Sequence, residues 1–260
     1  MTGPVLRKVL ITGGAGFIGS AVVRRLVRAG YCVANIDKLT YAATPEAIEE
    51  CLDSPNYCLI QADICNGDAV RQAFEDFEPD SVMHLAAESH VDRSIDGPGA
   101  FIQTNVLGTF TMLQAARRYY EGLNSVKRDG FRFHHVSTDE VFGSLSPTDP
   151  AFHEKTPYSP RSPYSASKAA SDHLVHAWGE TYGLPIVLSN CSNNYGPWQF
   201  PEKLIPVIIM KARDGQRLPV YGKGENVRDW LHVEDHASAL CTILERGKLG
   251  ESYNVGGNAE

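Results

Sequence analysis

Two side chains on one helical face and two adjacent carboxylates carry the chemistry in this sequence. Tyr164 and Lys168 stand four residues apart, which on a helix puts phenol and ammonium on the same side. A free phenol loses its proton near pH 10, too high for a base at neutrality. A cation roughly 4–5 Å away is worth about 3–4 kcal/mol at an effective dielectric of about 20, or some two to three pH units. The spacing therefore predicts that Lys168 makes Tyr164 a base able to take a hydroxyl proton. Asp139 and Glu140 follow Ser137 and Thr138, where a strand is expected to end. In one cleft they would raise one another's pKa, so that one stays protonated as an acid while the other works as a base. A capped strand end is the structural alternative for this pair. Thr138 is placed to hydrogen-bond a reacting oxygen.

A third constellation opens the chain. Gly13, Gly16 and Gly19 fall between an apolar run at 8–12 and a helical repeat at 18–29. That layout brings backbone up to a pyrophosphate at a helix N-terminus. Gly13 would allow the tight turn, Gly16 the close approach and Gly19 the close helix–sheet contact. Asp37 comes eighteen residues after Gly19, at the end of a second strand, where a carboxylate can hold ribose hydroxyls and repel a 2′-phosphate. NAD is expected rather than NADP. Asp63 and Ile64, ending a third strand, are placed to meet the adenine, with a loop-start cap as the alternative. Leu85-Ala86-Ala87 ends a fourth strand with small residues, letting backbone pack beside the cofactor.

Such residues need a scaffold, and strand-like and helix-like segments alternate from the start, the signature of a parallel sheet with helices on both faces. Strands are expected at 8–12, 32–36, 57–61, 81–85, 131–136 and 185–188. Helices are expected at 18–29, 68–77, 99–120 and 163–182, with a polar loop at 124–130. The fold class is α/β, a Rossmann-type doubly wound parallel sheet with a smaller C-terminal substrate lobe. After Ser189, prolines 197, 201, 206 and 219 break the alternation. The expected division is 1–189 for nucleotide binding and catalysis, and 190–260 for a partial substrate lobe.

The bulk numbers narrow the function classes. At 260 residues, 43% hydrophobic and 21% charged, the composition is that of an ordinary globular protein. A net charge of -7 argues against nonspecific binding to nucleic acid or anionic membranes. An anionic substrate would need a local basic pocket. Arg228, a bidentate guanidinium, and Lys203, a point charge, have the chemistry a diphosphate wants, ordinary surface charge being the alternative. The six cysteines show no C-x-x-C or zinc spacing. No signal-peptide layout appears, and no apolar stretch approaches the ~20 residues of a membrane span. The expected location is cytoplasmic. His232 and His236, with Glu234 and Asp235 between them, lack a third ligand cluster, so no metal is expected. His134 and His135 sit inside a strand, and at least one should be a core histidine.

Several stretches together resemble a known family. Thr12 to Gly19, Asp37 to Ala42, Ala86 to Ser94 and Ser137 to Val141 resemble the extended short-chain dehydrogenase/reductase superfamily. Ser192 to Pro197, Phe200 to Pro206 and Val227 to Trp230 narrow the resemblance to the dTDP-glucose 4,6-dehydratase family. The resemblance runs through essentially the whole chain, and the Thr-Asp-Glu triplet separates it from sugar-nucleotide epimerases. It implies that Tyr164 deprotonates a glucose 4-hydroxyl, with Thr138 orienting the oxygen and Lys168 holding the ribose and tuning Tyr164. Glu140 would take the C5 proton and Asp139 would protonate the departing 6-hydroxyl. Phe17, Ile18, Asp37, Lys38, Leu39, Thr40, Asp63, Ile64, Leu85, Ala86, Ala87, Ser89, Thr104 and Asn194 would line the NAD side. Asn193, Lys203, Leu204, Pro219, Val220, Tyr221 and Arg228 would hold the nucleotide diphosphate, with Ser89 also near the sugar. A homodimer through a four-helix bundle is implied as well, using the helix of Trp178 and the one at 99–120. Family chains are longer, which implies either that this is a fragment or that the substrate lobe is cut short. The rival readings are another nucleotide-sugar dehydratase, a 4-epimerase, and a catalytically silent NAD-binding protein.

Overall fold

A parallel strand covered on both faces must be apolar along its length, and β1 (Lys8–Thr12) is buried from Val9 onward. A glycine turn leads into α1 (Phe17–Arg28) and β2 (Cys32–Asp37), followed by α2 (Glu49–Leu52), β3 (Tyr57–Gln61), α3 (Gly67–Phe77) and β4 (Ser81–His84). Next come the short α4 (Val91–Asp96) and α5 (Pro98–Phe101), then α6 (Thr109–Gly122), α7 (Ser125–Gly130) and β5 (Arg132–Thr138). The chain continues through α8 (Pro163–Tyr182), β6 (Ile186–Cys191), β7 (Asn193–Tyr195), α9 (Leu204–Arg213), β8 (Trp230–His232), α10 (Val233–Arg246) and β9 (Ser252–Val255). This computed structural model describes residues 7–146, 148–220, 223–224 and 226–259.

Seven strands form one sheet in the order β3-β2-β1-β4-β5-β6-β9, every neighbouring pair parallel. The winding reverses between β1 and β4, and such switch points open a crevice at the carboxyl ends of the strands. On one face Val22, Val23 and Leu26 of α1 pack with Val233, Ala237, Leu240 and Leu244 of α10. On the other, Val70 and Phe74 of α3, Met112 and Leu113 of α6 and Val175 of α8 share a second core. The doubly wound α/β sheet expected from the alternation is what forms. None of the described helices is long and apolar enough to cross a membrane.

Four local expectations change. The helix expected over 99–120 is broken by a π-helical stretch, Ile102–Gly108, which carries the buried Asn105. Wide turns of this kind occur where a side chain is diverted to a local task, and Asn105 binds both backbone groups of Glu88 and the Ser167 hydroxyl. The loop expected at 124–130 is the helix α7, whose Asn124 side chain accepts from the Lys127 N–H at 3.0 Å. β5 and β6 run beyond their apolar stretches, pairing Ser137 with Asn190 and Thr138 with Cys191. Polar residues at these strand ends hid their extent. The segment expected as a lobe from 190 onward divides: β7, α9 and β8 leave the main sheet, while α10 covers α1 and β9 pairs with β6. The apolar stripe of α10 draws it back.

Leu240 is fully buried between α10 and α1. Leu240→Ala should lower the unfolding free energy by about 2–5 kcal/mol in urea titration. No change would show that α10 is not part of the first core.

Candidate active site

Thr138 closes β5, and its hydroxyl caps the turn that follows, accepting from Glu140 N–H at 3.3 Å and donating to Asp139 Oδ1 at 3.4 Å. Across from this turn α8 begins with Ser162 and Ser165 capping one another's backbone and Pro163 in the first turn. An ordinary helix buries leucine-like side chains. α8 instead buries Tyr164, Ser167, Lys168, Ser171 and Asp172. Tyr164, Lys168 and Asp172 recur at intervals of four, a polar stripe turned into the protein. The Tyr164 phenol faces Thr138, Glu140, Asp139 and Cys191. Lys168 lies one turn deeper, its Nζ donating to the Val136 carbonyl at 3.0 Å and standing 3.5 Å from His135 Nε2.

Both carboxyls are raised above their ordinary values, with burial as the first cause in each. Burial, and then the Glu140 charge, push Asp139 up to about 6. Burial also raises Glu140, but Lys203 and Arg228 oppose it there. The expected depression of the Tyr164 phenol is not found. Burial holds it well above its ordinary value, and the Glu140 charge adds to this. The reason is geometric: the four-carbon stem of Lys168 carries its ammonium down to Val136 and His135 rather than to the phenol.

At the switch point the glycine turn leaves no room for side chains. A Cβ on Gly13, whose φ is +75°, would stand 2.8 Å from Ala86 backbone, and one on Gly19 would overlap the Gly13 carbonyl oxygen. Gly16 begins α1, with no side chain capping its first turn and no acidic residue in it. Such an end suits an anion. Asp37 accepts from Ala15 N–H and Leu39 N–H, each at 2.8 Å, and holds Leu39 at a left-handed φ of 56°. Lys38 pairs with Asp63 at 2.7 Å. The other Asp63 oxygen accepts from Cys65 N–H at 2.9 Å, the loop cap that was the alternative for it. Ile64 is core: it is buried, and a Cβ on Gly108 would come within 2.6 Å of it. Leu85, Ala86 and Ala87 are half-buried beside the turn, and Ala86 N–H donates to the Thr12 hydroxyl. Phe17 and Ile18 are half-buried at the start of α1, Thr40 is exposed, and Thr104 is half-buried in the π-helical stretch.

The other wall comes from the segments outside the main sheet. Lys203 donates to the Ser89 carbonyl at 2.9 Å. Next to it Glu202 approaches Arg93 at 3.3 Å and His90 at 3.8 Å, and Arg93 stacks on Tyr41 at 3.7 Å. Arg228 is exposed yet close enough to act on both carboxylates. Asn193 is half-buried in β7, Leu204 opens α9 exposed, and Pro219 and Val220 lie beyond it. Tyr221 lies outside the described residues. Asn194 accepts through its Oδ1 from His236 Nδ1–H at 2.8 Å and donates its amide N–H to the Ser192 carbonyl at 2.9 Å.

A family model described as GDP-mannose 4,6 dehydratase matches residues 10–260. The dTDP-glucose 4,6-dehydratase 1 of Escherichia coli (strain K12) is 57% identical over 262 residues, covering 97% of this chain and 73% of that protein. The chain belongs to the dTDP-glucose 4,6-dehydratase family. Two solved structures carry similar folds. The dTDP-glucose 4,6-dehydratase of Bacillus anthracis in complex with NAD has a TM-score of 0.87 at 42% identity, covering 97% of this chain and 76% of that one. The Streptomyces venezuelae dTDP-glucose 4,6-dehydratase with NAD and TYD bound has a TM-score of 0.88 at 41% identity, covering 95% and 75%.

Within this dehydratase scaffold several residues act at the site without having been anticipated. Asn35 accepts from Gly14 N–H at 2.8 Å, fixing the glycine turn. Asn105 holds the Glu88 backbone, and Ser137, Asn190 and Tyr158 converge on Asp172. Of these, Asp172 alone had a visible signal, its spacing from Lys168. His134 is a core histidine, 2.9 Å from the Ser189 hydroxyl, and burial lowers it to about 3. Among the described residues no group of three or more His, Cys, Asp or Glu is arranged to hold a metal ion.

An acid whose folded pKa is raised holds its proton more tightly folded than unfolded. Its ionisation therefore weakens the fold as pH rises from the unfolded value of 3.8 through about 6. Asp139→Asn, which removes that charge, should match the parent in melting temperature near pH 4 and exceed it above pH 7. A difference independent of pH would refute the buried-charge account.

Proposed function

We propose that this protein is a dTDP-glucose 4,6-dehydratase, an NAD-dependent hydro-lyase that converts dTDP-glucose to dTDP-4-keto-6-deoxyglucose and water in deoxysugar biosynthesis. The observation that carries the reading is the pair Asp139 and Glu140, two half-buried carboxylates set side by side and facing Tyr164 at the end of β5. A 4-epimerase has no use for such an acid and base, and a silent binding protein has no physical reason to bury them.

The glycine turn after β1, the uncapped start of α1 and Asp37 fit a dinucleotide without a 2′-phosphate. NAD held there would supply a reversible hydride acceptor for the sugar. The residues of the chain move the protons. Tyr164, whose raised phenol the cationic ring of bound NAD would make more acidic, takes the proton of the 4-hydroxyl while Thr138 orients that oxygen. Lys168 lies one turn deeper, against Val136 and His135. Once C4 is a ketone the C5 hydrogen is acidic, and Glu140, whose charged form Lys203 and Arg228 favour against burial, takes it. Asp139, whose pKa of about 6 keeps a fraction protonated near neutrality, gives its proton to the departing 6-hydroxyl. Arg228 and Lys203, with Asn193, hold the diphosphate. Residues 1–189 then carry cofactor and catalysis, and the segments after 190 that leave the main sheet carry substrate recognition.

The apolar side chains Ile102, Leu107, Phe110 and Tyr182 are exposed on the 102–122 and 163–182 helical stretches. Phe110 and Tyr182 both pack on Trp178. This surface supports a homodimer formed through a four-helix bundle. The six unpaired thiols support a reducing cytoplasm.

Incubated with dTDP-glucose, the protein should yield a product lighter by one water, identified by mass spectrometry as the 4-keto-6-deoxy sugar, faster than with UDP-glucose. The C4 epimer as product would overturn the assignment. Glu140→Gln should lose about 10²–10⁴-fold in turnover yet still oxidise the sugar, because losing the Glu140 charge eases ionisation of Tyr164. Accumulated nicotinamide absorbance near full occupancy would register that arrest, and unchanged turnover would remove Glu140 from the mechanism.

A further inference from the structure

We propose that Asp172 is a positioning residue of this site, a buried counter-charge for Lys168 that also ties the end of β5 to α8. The inference rests on the reading of Tyr164 and Lys168 above. Asp172 has no exposed surface and stands one helical turn beyond Lys168 on the same face of α8. Its Oδ2 accepts from the Ser137 hydroxyl at 2.8 Å, the Tyr158 hydroxyl at 2.9 Å and the Asn190 amide at 3.5 Å. Those donors come from β5, from the segment before α8 and from β6. Asn190 also donates to the Thr138 carbonyl at 3.1 Å. A single carboxylate oxygen thus braces both neighbours of Thr138, the residue before it and the strand beside it.

The second oxygen carries the charge argument. Asp172 Oδ1 is fully enclosed, receives none of those three donors and has His135 Nε2 3.1 Å away. That same nitrogen is 3.5 Å from Lys168 Nζ. A buried carboxylate and a buried ammonium are each costly alone, and each lowers the cost of the other. The remaining groups around them do not supply the negative charge. From β4, His84 packs on His135 at 5.3 Å between ring centroids, and burial holds both imidazoles neutral. From β6 the Cys191 thiol is pushed up by burial to about 12. Tyr164 and Tyr158 are phenols raised by burial, and His176 lies on α8 itself. Burial lowers Lys168 and raises Asp172, and each charge opposes the other's shift. Asp172 is the foremost charge favouring the cationic form of Lys168.

The test follows Lys168 directly. In protein labelled with carbon-13 and nitrogen-15 lysine, its Cε resonance, assigned by its loss in Lys168→Met, is titrated with pH. Asp172→Asn should move the Lys168 midpoint down by about one pH unit or more, and Asp172→Glu should largely restore it. Tyr158→Phe removes one donor and weakens the carboxylate charge, so it should shift the midpoint the same way by less. Equal midpoints in Asp172→Asn and the parent would overturn the proposal. Should Asp172→Asn not fold, an unmoved midpoint in Tyr158→Phe would do so. The alkaline limb of kcat should move with the midpoint while KM stays nearly constant. A fall in kcat with the limb unmoved would mark Asp172 as structural only. The resonance needs no turnover, so failure to dehydrate a nucleotide sugar would contradict the proposed function and leave this comparison decisive.

Discussion

Ionised side chains lose much of their hydration where β5 meets α8, and each has to find its compensation within the protein. Asp139, Glu140, Lys168 and Asp172 are gathered there within a few turns of chain. Compensation is uneven, and the unevenness is what the chemistry uses. Glu140 has Lys203 and Arg228 on its side, whereas Asp139 meets the charge of Glu140 before it meets Arg228. Burial raises both carboxyls, and they differ in the charges that face them. That difference is the basis on which we propose opposite duties for two like groups.

The scaffold makes this arrangement possible by keeping the apolar work elsewhere. Val9 to Ile11, Val82 and Met83 fill the sheet, and α1 with α10 and α3 with α6 supply the two cores. The carboxyl ends of β5 and β6 and the inner stripe of α8 are thereby free to be polar. Stability is given up locally, as it is wherever charge is desolvated for function. The backbone is fixed at the same places by side chains with no chemical task of their own. Asn35 fixes the glycine turn, Asn105 fixes Glu88, and Ser137 and Asn190 fix the strand end.

Much of this was legible in the chain of residues. Glycines 13, 16 and 19 announced a tight turn between β1 and α1, and the close contacts a Cβ would make at 13 and 19 agree with it. Alternating apolar runs announced the doubly wound sheet. The rest failed for physical reasons. Serines and asparagines ending β5 and β6 look like loop residues until the sheet supplies their partners. The return of α10 and β9 to the main sheet depends on a surface of α1 that no local pattern reveals. Four-residue spacing put Tyr164 and Lys168 on one face, but it does not fix where a flexible stem delivers its ammonium. Asp172, among serines and alanines in mid-helix, resembles solvated surface until strands on two sides enclose it.

That oxidation, elimination and reduction occur in sequence on one sugar at this single site is the central claim. It is tested most directly by placing deuterium on C4 of dTDP-glucose and analysing the product by NMR. The label should reappear in the C6 methyl group of the same molecule, with no crossover to unlabelled substrate turned over alongside it. Deuterium lost to water, or retained at C4, would contradict the account.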